Sequence, residues 1–448
     1  MTAAAVPVDY RLVRRLQAQV ADEITSDRQL RETQQLPERT VADEQQLAWR
    51  FIAAAVQQHM QDLLAAGSEL PVAAYDERLA DAIYAAMYGA GQLQELLDDG
   101  DIENIDINGC DEVWVTYAGT RGKERLTRPI AATDDDLVNM VQNLGAYAGL
   151  NARPFTPANP ELDLRLGDGS RLSAVMSATE RPVVSIRRNR HPQMFLNKLI
   201  DLETIDEELA GFFAAAVAAR CNVMVAGATD AGKTTLLRAL INCIPPDERI
   251  VTVERALELG LRRHPELHAD VVEFEEVLPD ADGKGGITMD QLVRRTRRHN
   301  PSRVIVGEVL GPEVVQMLSA MSQGNDGSLS TIHARNADDV FHKLATYAAQ
   351  FERLDFPVTH SLIASSIDFV AFVRKNPLMA GRRVVSEVVE VTGWDQGRVT
   401  RSHIFVPSPV DGRAERAVEV QIMRAKGLAA VGYDDTAGGW GGWPGSGR

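Results

Sequence analysis

The chain has 448 residues, of which 45% are hydrophobic and 25% are charged, and its formal net charge at pH 7 is −16. This length allows about three globular domains, and the acidic balance argues against nucleic acid or an anionic membrane as the main partner. Three cysteines are too few for a disulfide framework or a four-cysteine zinc site. The longest apolar runs, near residues 211–219, are about half of the ~18 residues of a membrane span, and the amino terminus lacks a signal-peptide pattern, so we expect a cytoplasmic protein.

Residues 1–75 are predicted to be a helical extension. Apolar residues recur at helical spacing in residues 8–21 and 41–64, among many glutamine, glutamate and aspartate residues. We interpret this extension as an accessory or partner-docking arm, and the alternative is a set of helices whose polar faces are simply solvated. Its residues suggest no chemistry.

Residues 76–190 are predicted to form a small α+β domain. Helical patterns cover residues 79–97 and 134–148, and strand patterns cover residues 104–117 (with a turn at Asn108-Gly109), 162–166, 170–176 and 183–187. Residues 191–206 are expected to link this domain to the next one.

Residues 207–410 are predicted to be an α/β domain, because strand and helix patterns alternate along them. The strands are expected at residues 223–226, 250–253, 304–307 and 328–332, and the helices at residues 236–243, 289–298 and 312–323. Such alternation favours a mostly parallel sheet with helices on both faces. Short strands near residues 369–373, 384–391 and 399–405 are predicted to close a small β appendix, and residues 411–448 to form a tail that ends in a low-complexity stretch, residues 436–448.

A phosphate-binding loop is the most informative motif of the chain. Residues 227–234 fit the pattern G-x-x-x-x-G-K-[ST], between an apolar strand at residues 221–226 and a helix at residues 235–243. A strand, a glycine-rich turn and a helix amino terminus direct backbone N–H groups and the helix dipole at an anion. We expect Lys233 to reach the β and γ phosphates and the Thr234 hydroxyl to bind Mg²⁺. The predicted nucleotide-binding residues are Gly227, Ala228, Thr229, Asp230, Ala231, Gly232, Lys233, Thr234 and Thr235.

Two further strands end in carboxylates. Glu308 follows the strand at residues 303–307 and is predicted to polarise the attacking water as a general base, the alternative being an ordinary glutamate at a strand end. Gly307 stands where many phosphate-loop enzymes place the aspartate that holds Mg²⁺. Glu254 and Glu258 follow the strand at residues 250–253, where they are suited to binding metal-coordinated water or, alternatively, begin a solvated helix.

A histidine ends the fourth strand of the alternating segment. His333 follows the glycine-rich loop that starts at Gln323 and a Ser/Thr-rich strand. This pattern suggests a group that senses the γ phosphate, whereas most lone histidines are packed or exposed residues without such a role.

In this order, the four segments resemble the motifs of the secretion and pilus-assembly ATPases, which serve type II and type IV secretion, type IV pili and Tad/Flp pili. The phosphate loop corresponds to Walker A, T-V-E-x-x-x-E-L at residues 252–259 to the Asp box, I-V-G-E-V at residues 305–309 to Walker B, and G-S-L-S-T-I-H-A at residues 327–334 to the His box. The resemblance covers roughly residues 90–395. The CpaF/TadA-like and type IV secretion branch fits best, because the tetracysteine zinc segment of the general secretion branch is missing.

The resemblance implies an architecture and partners. Members of this family have a RecA-like ATPase domain behind a smaller amino-terminal domain, and they form hexameric rings that clamp ATP and Mg²⁺ between the two domains. Hydrolysis moves one domain against the other, and this motion drives an inner-membrane platform protein from the cytoplasmic face. No direct nucleic-acid partner is expected.

The resemblance also implies roles for single residues. Glu308 and Glu254 become the catalytic carboxylates and His333 the sensor of the γ phosphate. Arg171 and Arg187, in segments 166–171 and 184–187, correspond to arginines that reach the nucleotide. The basic run at residues 294–298 would supply Arg298, and with it Arg294, as a group that neutralises phosphate charge; the alternative for this run is a solvated helix face.

Four residues depart from the family pattern. Asp230 replaces a glycine of the phosphate loop, Arg255 replaces the aspartate that names the Asp box, and Ser302 and Leu310 replace an aspartate and an arginine that flank Walker B. Despite these departures, the resemblance predicts an ATP-hydrolysing motor. The alternative is a nucleotide-dependent scaffold with weakened catalysis. A DNA-translocating ATPase is disfavoured by the acidic charge.

Overall fold

A computed structural model describes residues 8–37, 39–67, 74–119, 121–147, 155–190, 193–277, 279, 283–376, 378–379, 382–434 and 439–440. The chain divides into two compact units, an amino-terminal unit up to Arg190 and a carboxy-terminal unit from His191. Within the described ranges, no helix has both the length and the apolar character needed to span a bilayer.

The amino-terminal unit begins with three helices that share a core. They are α1 (Tyr10–Thr33), α2 (Val41–Ala65) and α3 (Tyr75–Tyr88). One apolar face of each helix is buried, and these faces form a single cluster of residues that includes Val20, Ile52 and Leu79. The helix predicted at residues 8–21 extends twelve residues further in the structure, to Thr33. The added turns are mostly polar, so the apolar spacing that predicted the helix does not include them.

A helix predicted at residues 79–97 is interrupted. α3 ends before Gly89, a 3-10 turn follows at Gly91–Leu93, and a short helix α4 continues at Gln94–Asp98. The break begins at Gly89, which ends α3 in an extended conformation with φ of −122° and ψ of −152°. Gly91, two residues later, has a φ of +53°, in the left-handed region that favours glycine.

A six-stranded antiparallel sheet completes this unit. Its strand order is β3-β2-β1-β6-β5-β4. The strands are β1 (Ile102–Asn108), β2 (Val113–Tyr117), β3 (Gly122–Arg125), β4 (Glu161–Arg165), β5 (Arg171–Val175) and β6 (Val183–Arg187), with α5 at Asp134–Tyr147. The mixture of helices and antiparallel strands confirms the predicted α+β class of this part of the chain.

The carboxy-terminal unit is built around a nine-stranded sheet of order β15-β14-β13-β12-β7-β11-β10-β8-β9. Its strands are β7 (Val223–Gly227), β8 (Ile250–Glu254), β9 (Val271–Glu275), β10 (Arg303–Val309), β11 (Leu329–His333), β12 (Phe369–Lys375), β13 (Arg383–Asp395), β14 (Arg398–Pro407) and β15 (Ala414–Arg416). A separate small pair consists of β16 (Tyr433–Asp434) and β17 (Gly439–Trp440). The helices are α6 (Leu196–Asp201), α7 (Glu207–Ala218), α8 (Lys233–Ile241), α9 (Met289–Thr296), α10 (Val314–Ser322), α11 (Asp339–Glu352), α12 (Phe356–Ser366) and α13 (Ala425–Ala430).

Helices cover both faces of this sheet. Six neighbouring strands of the sheet, in the order β12-β7-β11-β10-β8-β9, run parallel to one another. All five residues of β7 are buried. Val223 and Val225 belong to the core that includes α7 and α8, whereas Met224 and Ala226 belong to the core that includes α10 and α11. Because successive strand residues point to opposite faces, this division confirms the predicted parallel α/β fold.

Three segments are more closely integrated into this unit than the sequence predicts. The strands expected to form a separate β appendix continue the main sheet, and β12 pairs in parallel with β7 itself. Residues 191–206, expected as a linker, contain α6 and bury Leu196, Leu199 and Ile205 in the core. In the predicted tail, residues 411–434 likewise contribute buried side chains, while most of residues 436–448 lie outside the described residues.

A buried ion pair holds the amino edge of the parallel strands together. Arg303, at the start of β10, is 0% exposed and donates two hydrogen bonds to the Glu248 carboxylate, at 2.9 and 2.7 Å. It donates two more to backbone carbonyls of Val217 and Gly327. The Arg303 guanidinium thus keeps the pKa of Glu248 below its usual value, against the effect of burial.

Candidate nucleotide-binding and catalytic site

The phosphate loop connects the end of β7 to the start of α8 at the carboxyl edge of the sheet. Gly232 caps α8 with a φ of +102°, and Asp230 also lies in the left-handed region, with a φ of +59°. A Cβ at Gly227 would lie 2.3 Å from the carbonyl oxygen of Val373 on β12, so no side chain fits there. The predicted glycines are therefore required by backbone geometry and by the close approach of β12.

Lys233, His333 and Glu308 meet at this edge in one hydrogen-bonded chain. The Lys233 ammonium lies 2.9 Å from His333 Nδ1, and His333 Nε2 lies 2.7 Å from Glu308 Oε1. Lys233 also donates to the carbonyl oxygen of Ala228, at 3.1 Å, and lies 3.9 Å from Glu308 Oε1. Three predicted site residues, from α8, β11 and β10, are thus brought together.

The chemistry of the neighbours fixes the tautomer of His333. An ammonium group can only donate, so Nδ1 must accept, and an ionised carboxylate can only accept, so Nε2 must carry the proton. Both conditions are met by the neutral ring. Partial burial lowers the pKa of His333, Glu308 opposes this effect, and Lys233 adds to it. The ring is therefore neutral at pH 7 and orients Glu308 through its Nε2–H.

Glu254 occupies the space above Gly307. Its Oε2 accepts hydrogen bonds from the backbone N–H groups of Glu258 and Leu259, at 2.7 and 3.0 Å. A Cβ at position 307 would lie 2.9 Å from Glu254 Cγ. Gly307, which stands where related sites carry an aspartate, therefore makes room for a carboxyl group that arrives from β8. The Thr234 hydroxyl in turn donates to the Glu258 carboxylate, at 3.2 Å.

The Glu254 carboxyl group is 3% exposed, and burial raises its pKa to about 7, although two backbone N–H groups oppose the shift. Its Oε1 is buried and has no hydrogen-bond partner among the described residues. Buried polar atoms are normally satisfied, so an unsatisfied oxygen on the carboxyl group that accepts from the Glu258 N–H suits a metal-bound water or a protonated carboxyl group. This donor set fits Mg²⁺ bound through Thr234 and water.

Asp230, the residue that departs from the usual phosphate loop, is paired with two cations. Its carboxylate lies 2.8 Å from Lys375 Nζ and accepts hydrogen bonds from the Arg383 guanidinium at 3.1 and 3.2 Å. Both cations come from the β12–β13 hairpin, about 150 residues away in sequence. Sequence reasoning missed them, because no local pattern connects them with the loop.

Arg298 and Arg294 are not brought to this cluster. Both side chains are exposed near the end of α9, before the amino end of β10, whereas Glu308 lies near the carboxyl end of that strand. Arg294 lies 3.6 Å from Glu352. Within one chain, the basic run therefore does not neutralise phosphate charge at the phosphate loop.

The other departures from the family pattern have structural partners. Arg255 donates to the Glu276 carboxylate at 3.1 Å and is largely exposed. Ser302 accepts a hydrogen bond from the backbone of Arg249. Leu310 donates its backbone N–H to Glu313.

The arginines predicted to reach the nucleotide lie in the amino-terminal unit. Arg171 begins β5, Arg187 ends β6, and the two are directly opposite in the antiparallel register. Arg165, which sequence analysis did not single out, is directly opposite Arg171 on β4. Residues opposite one another share a face of the sheet, so three guanidinium groups form one row. The L-R-L-G-D-G-S-R hairpin pattern of residues 164–171 is the signal that relates Arg165 to Arg171.

Comparisons with known proteins identify the family of the chain. A family model described as "Type II/IV secretion system protein" matches residues 125–404, more than half of the chain. A putative conjugal transfer protein of Mycobacterium tuberculosis (strain H37Rv) is 35% identical over 319 residues, which are 69% of this chain and 86% of the relative. VirB11 of Agrobacterium fabrum is 28% identical over 62% of this chain and 86% of its own length. The type IV secretion system protein PtlH of Bordetella pertussis is 33% identical over 66% of this chain and 92% of its own length. The chain belongs to the type II/IV secretion system protein family, the family that its four motifs resemble.

Proposed function

We propose that this protein is an ATP-hydrolysing motor of a type IV secretion system or a Tad/Flp-like pilus-assembly system. The observation that carries the proposal is the chain from Lys233 through His333 to Glu308, next to an open helix amino terminus. Lys233, a cation that can bind phosphate, therefore lies close to Glu308, a carboxylate that can accept a proton from water. ATP hydrolysis needs both groups at the terminal phosphate.

Binding would use groups that the loop already presents. The backbone N–H groups of residues 228–234 and the dipole of α8 would hold the β and γ phosphates. Lys233 would exchange His333 and the Ala228 carbonyl for phosphate oxygens, since its present partners are neutral acceptors and a triphosphate is an anion. Thr234 would turn its hydroxyl from Glu258 to Mg²⁺. When bound, Mg²⁺ would neutralise charge on the phosphates.

Hydrolysis would depend on Glu308 as the acceptor of the water proton. His333 holds Glu308 by its Nε2–H and is placed to sense whether Lys233 has moved to a phosphate. Glu254, buried above Gly307, would be the second carboxylate and would hold water through its Oε1. We further propose that Arg171 and Arg187 bind the phosphates of the nucleotide. Arg298 would have to serve a neighbouring subunit.

The machine that this activity serves is inferred from the family and its members. The relatives named above are a conjugal transfer protein, VirB11 and a type IV secretion protein. By extension, we propose a homohexamer at the cytoplasmic face of the membrane that uses the motion between its domains to drive an inner-membrane platform protein. For one subunit we propose a helical extension (1–75) and an α+β domain (76–190), followed by an ATPase domain whose core includes residues of the predicted linker (191–206) and tail (411–448) together with residues 207–410.

A nucleotide-binding scaffold with weakened catalysis is the second candidate. It is favoured by Arg255, which pairs with Glu276 at a position where the family pattern supplies a carboxylate. Asp230, the departure within the loop, gives it less support, because its charge is paired with Lys375 and Arg383. In such a scaffold ATP would regulate ring assembly or docking to a membrane partner without being turned over at a useful rate.

The exchange Glu308→Gln distinguishes the two candidates. In the full chain with Mg²⁺ and ATP, the variant should bind a fluorescent ATP analogue as the wild type does, while phosphate release falls by about 100-fold or more. Glu415→Gln, which alters an exposed glutamate on β15, is the matched control. If the wild type releases phosphate and Glu308→Gln abolishes this release, the scaffold is excluded. Tight ATP binding without release, with or without lipid vesicles, would instead support it, and unchanged release in the variant would remove Glu308 from its role.

A further inference from the structure

Lys375 and Arg383 form a cation pair that faces the phosphate loop. Lys375 ends β12, Arg383 begins β13, and the two residues are directly opposite one another in the antiparallel register. Like charges directly opposite on neighbouring strands destabilise a sheet unless an anion lies between them. The anion here is Asp230, which contacts both cations at 2.8 to 3.2 Å.

Arg383 also supports the loop through its backbone and through packing. Its Nε donates to the carbonyl oxygen of Asp230 at 3.1 Å. A Cβ at Gly232 would lie 3.4 Å from the Arg383 Cδ, so the aliphatic part of the arginine side chain lies against the residue that caps α8. The same guanidinium thus fixes the carboxylate and the backbone of a residue that has a φ of +59°.

We propose that the Lys375–Arg383 pair is a determinant of nucleotide affinity that acts through Asp230, an inference that rests on the proposed ATP-binding function. The pair keeps the carboxylate turned to the hairpin and cancels its charge. Without the pair, an uncompensated carboxylate would lie in the loop that has to receive the phosphates, where charges of the same sign repel. Lys375 and Arg383 are positioning residues in this proposal, since they act on phosphate through Asp230.

The two cations should contribute unequally. The Arg383 side chain is 29% exposed and makes three hydrogen bonds to Asp230, whereas the Lys375 side chain is 62% exposed and makes one contact. Water screens an exposed charge more strongly, so the Arg383 contact is worth more. We expect Arg383→Met to weaken ATP binding by about tenfold, Lys375→Met by about threefold, and the double exchange by about 30-fold.

The test is whether Asp230→Asn restores the affinity. Asparagine keeps the size of the side chain and tolerates the left-handed backbone, but it carries no charge. The equilibrium dissociation constant for a fluorescent ATP analogue is measured for each full-length variant. In the Lys375→Met/Arg383→Met background, Asp230→Asn should return the affinity to within about threefold of the wild type. In the otherwise wild-type chain it should leave the affinity within about threefold of the wild type, because the two cations already cancel the charge of Asp230 there.

Two results would overturn the proposal. The first is a double exchange that leaves the affinity unchanged. The second is a loss that Asp230→Asn does not restore, which would show that the cations contact phosphate directly. Circular dichroism and melting temperatures without nucleotide verify that each variant is folded, and Lys198→Met, which removes an exposed lysine near Asp201, is the control for loss of a lysine charge. Failure of the proposed function is distinguishable, because the wild type itself would then fail to bind ATP.

Discussion

The exchange Glu254→Gln tests whether a buried carboxyl group is held next to the phosphate loop. Burial raises the pKa of Glu254 from 4.5 in the unfolded chain to about 7 in the folded one. One unit of pKa corresponds to about 1.4 kcal/mol, so the ionised form costs the folded state about 3 kcal/mol. Because the folded pKa is the higher one, the stabilisation by the bound proton is complete below pH 4.5 and is lost as the pH rises through 7.

Glutamine is neutral at every pH, so it should remove this dependence. Between pH 5 and pH 8.5, Glu254→Gln should gain about 2 to 3 kcal/mol in unfolding free energy relative to the wild type. Urea titrations of the nucleotide-free protein in EDTA measure the difference. Since a chain with two units need not unfold in one step, hydrogen exchange of peptides from β8 and β10 identifies the transition that belongs to the carboxy-terminal unit.

The comparison needs a control and has a clear contrary outcome. Glu415→Gln gives the background effect of a glutamate-to-glutamine exchange at an exposed site on β15. If the stability curves of the wild type and Glu254→Gln run parallel from pH 5 to pH 8.5, the carboxyl group is not desolvated in the folded protein. The reasoning that places it as a buried second carboxylate would then be refuted.

Three other exchanges test residues at the carboxyl edge and at the amino edge of the same sheet. Gly307→Ala puts a methyl group 2.9 Å from Glu254 Cγ, so it should lower the free energy of unfolding by about 1 to 3 kcal/mol in urea titrations. The loss should be smaller in a Glu254→Ala background, and an equal loss in both backgrounds would contradict the contact. Because burial lowers the pKa of His333, kcat for ATP hydrolysis should decline only below the usual histidine range, where a positive charge on the ring makes the adjoining Glu308 carboxylate a weaker base. The kcat profile of His333→Gln should lack this decline. Arg303→Met leaves the mostly buried Glu248 without its bidentate partner, so it should lower the free energy of unfolding by about 3 to 5 kcal/mol in the same titrations. A loss below about 1 kcal/mol would show that the ion pair is not desolvated.

The phosphate loop was predictable because its determinants are contiguous. An apolar strand, a glycine-rich turn and a helix follow one another within residues 223–241, and the structure reproduces all three. The position of Glu308 near the carboxyl end of β10 follows from the same local pattern. In parallel sheets such strand ends lie at one edge, so the sequence was also enough to expect His333 and Glu308 near Lys233.

Contacts between distant segments were not predictable in this way. The hairpin of β12 and β13 reads as a set of short strands, and nothing in it indicates that β12 lies beside β7. Only that placement brings Lys375 and Arg383 to Asp230, and Val373 against Gly227. The aspartate that in the sequence is a departure from the phosphate-loop pattern is, in the fold, paired with two cations.

By itself, the sequence determined the class of the fold, the nucleotide-binding loop and the family, because these depend on short-range periodicity and on motifs of a few consecutive residues. The tertiary structure alone decided which charges neutralise Asp230, why position 307 is a glycine beneath Glu254, and that Arg298 lies away from the phosphate loop of the same chain. Strand order and side-chain burial depend on packing among residues that are far apart in the chain, and no local pattern encodes them.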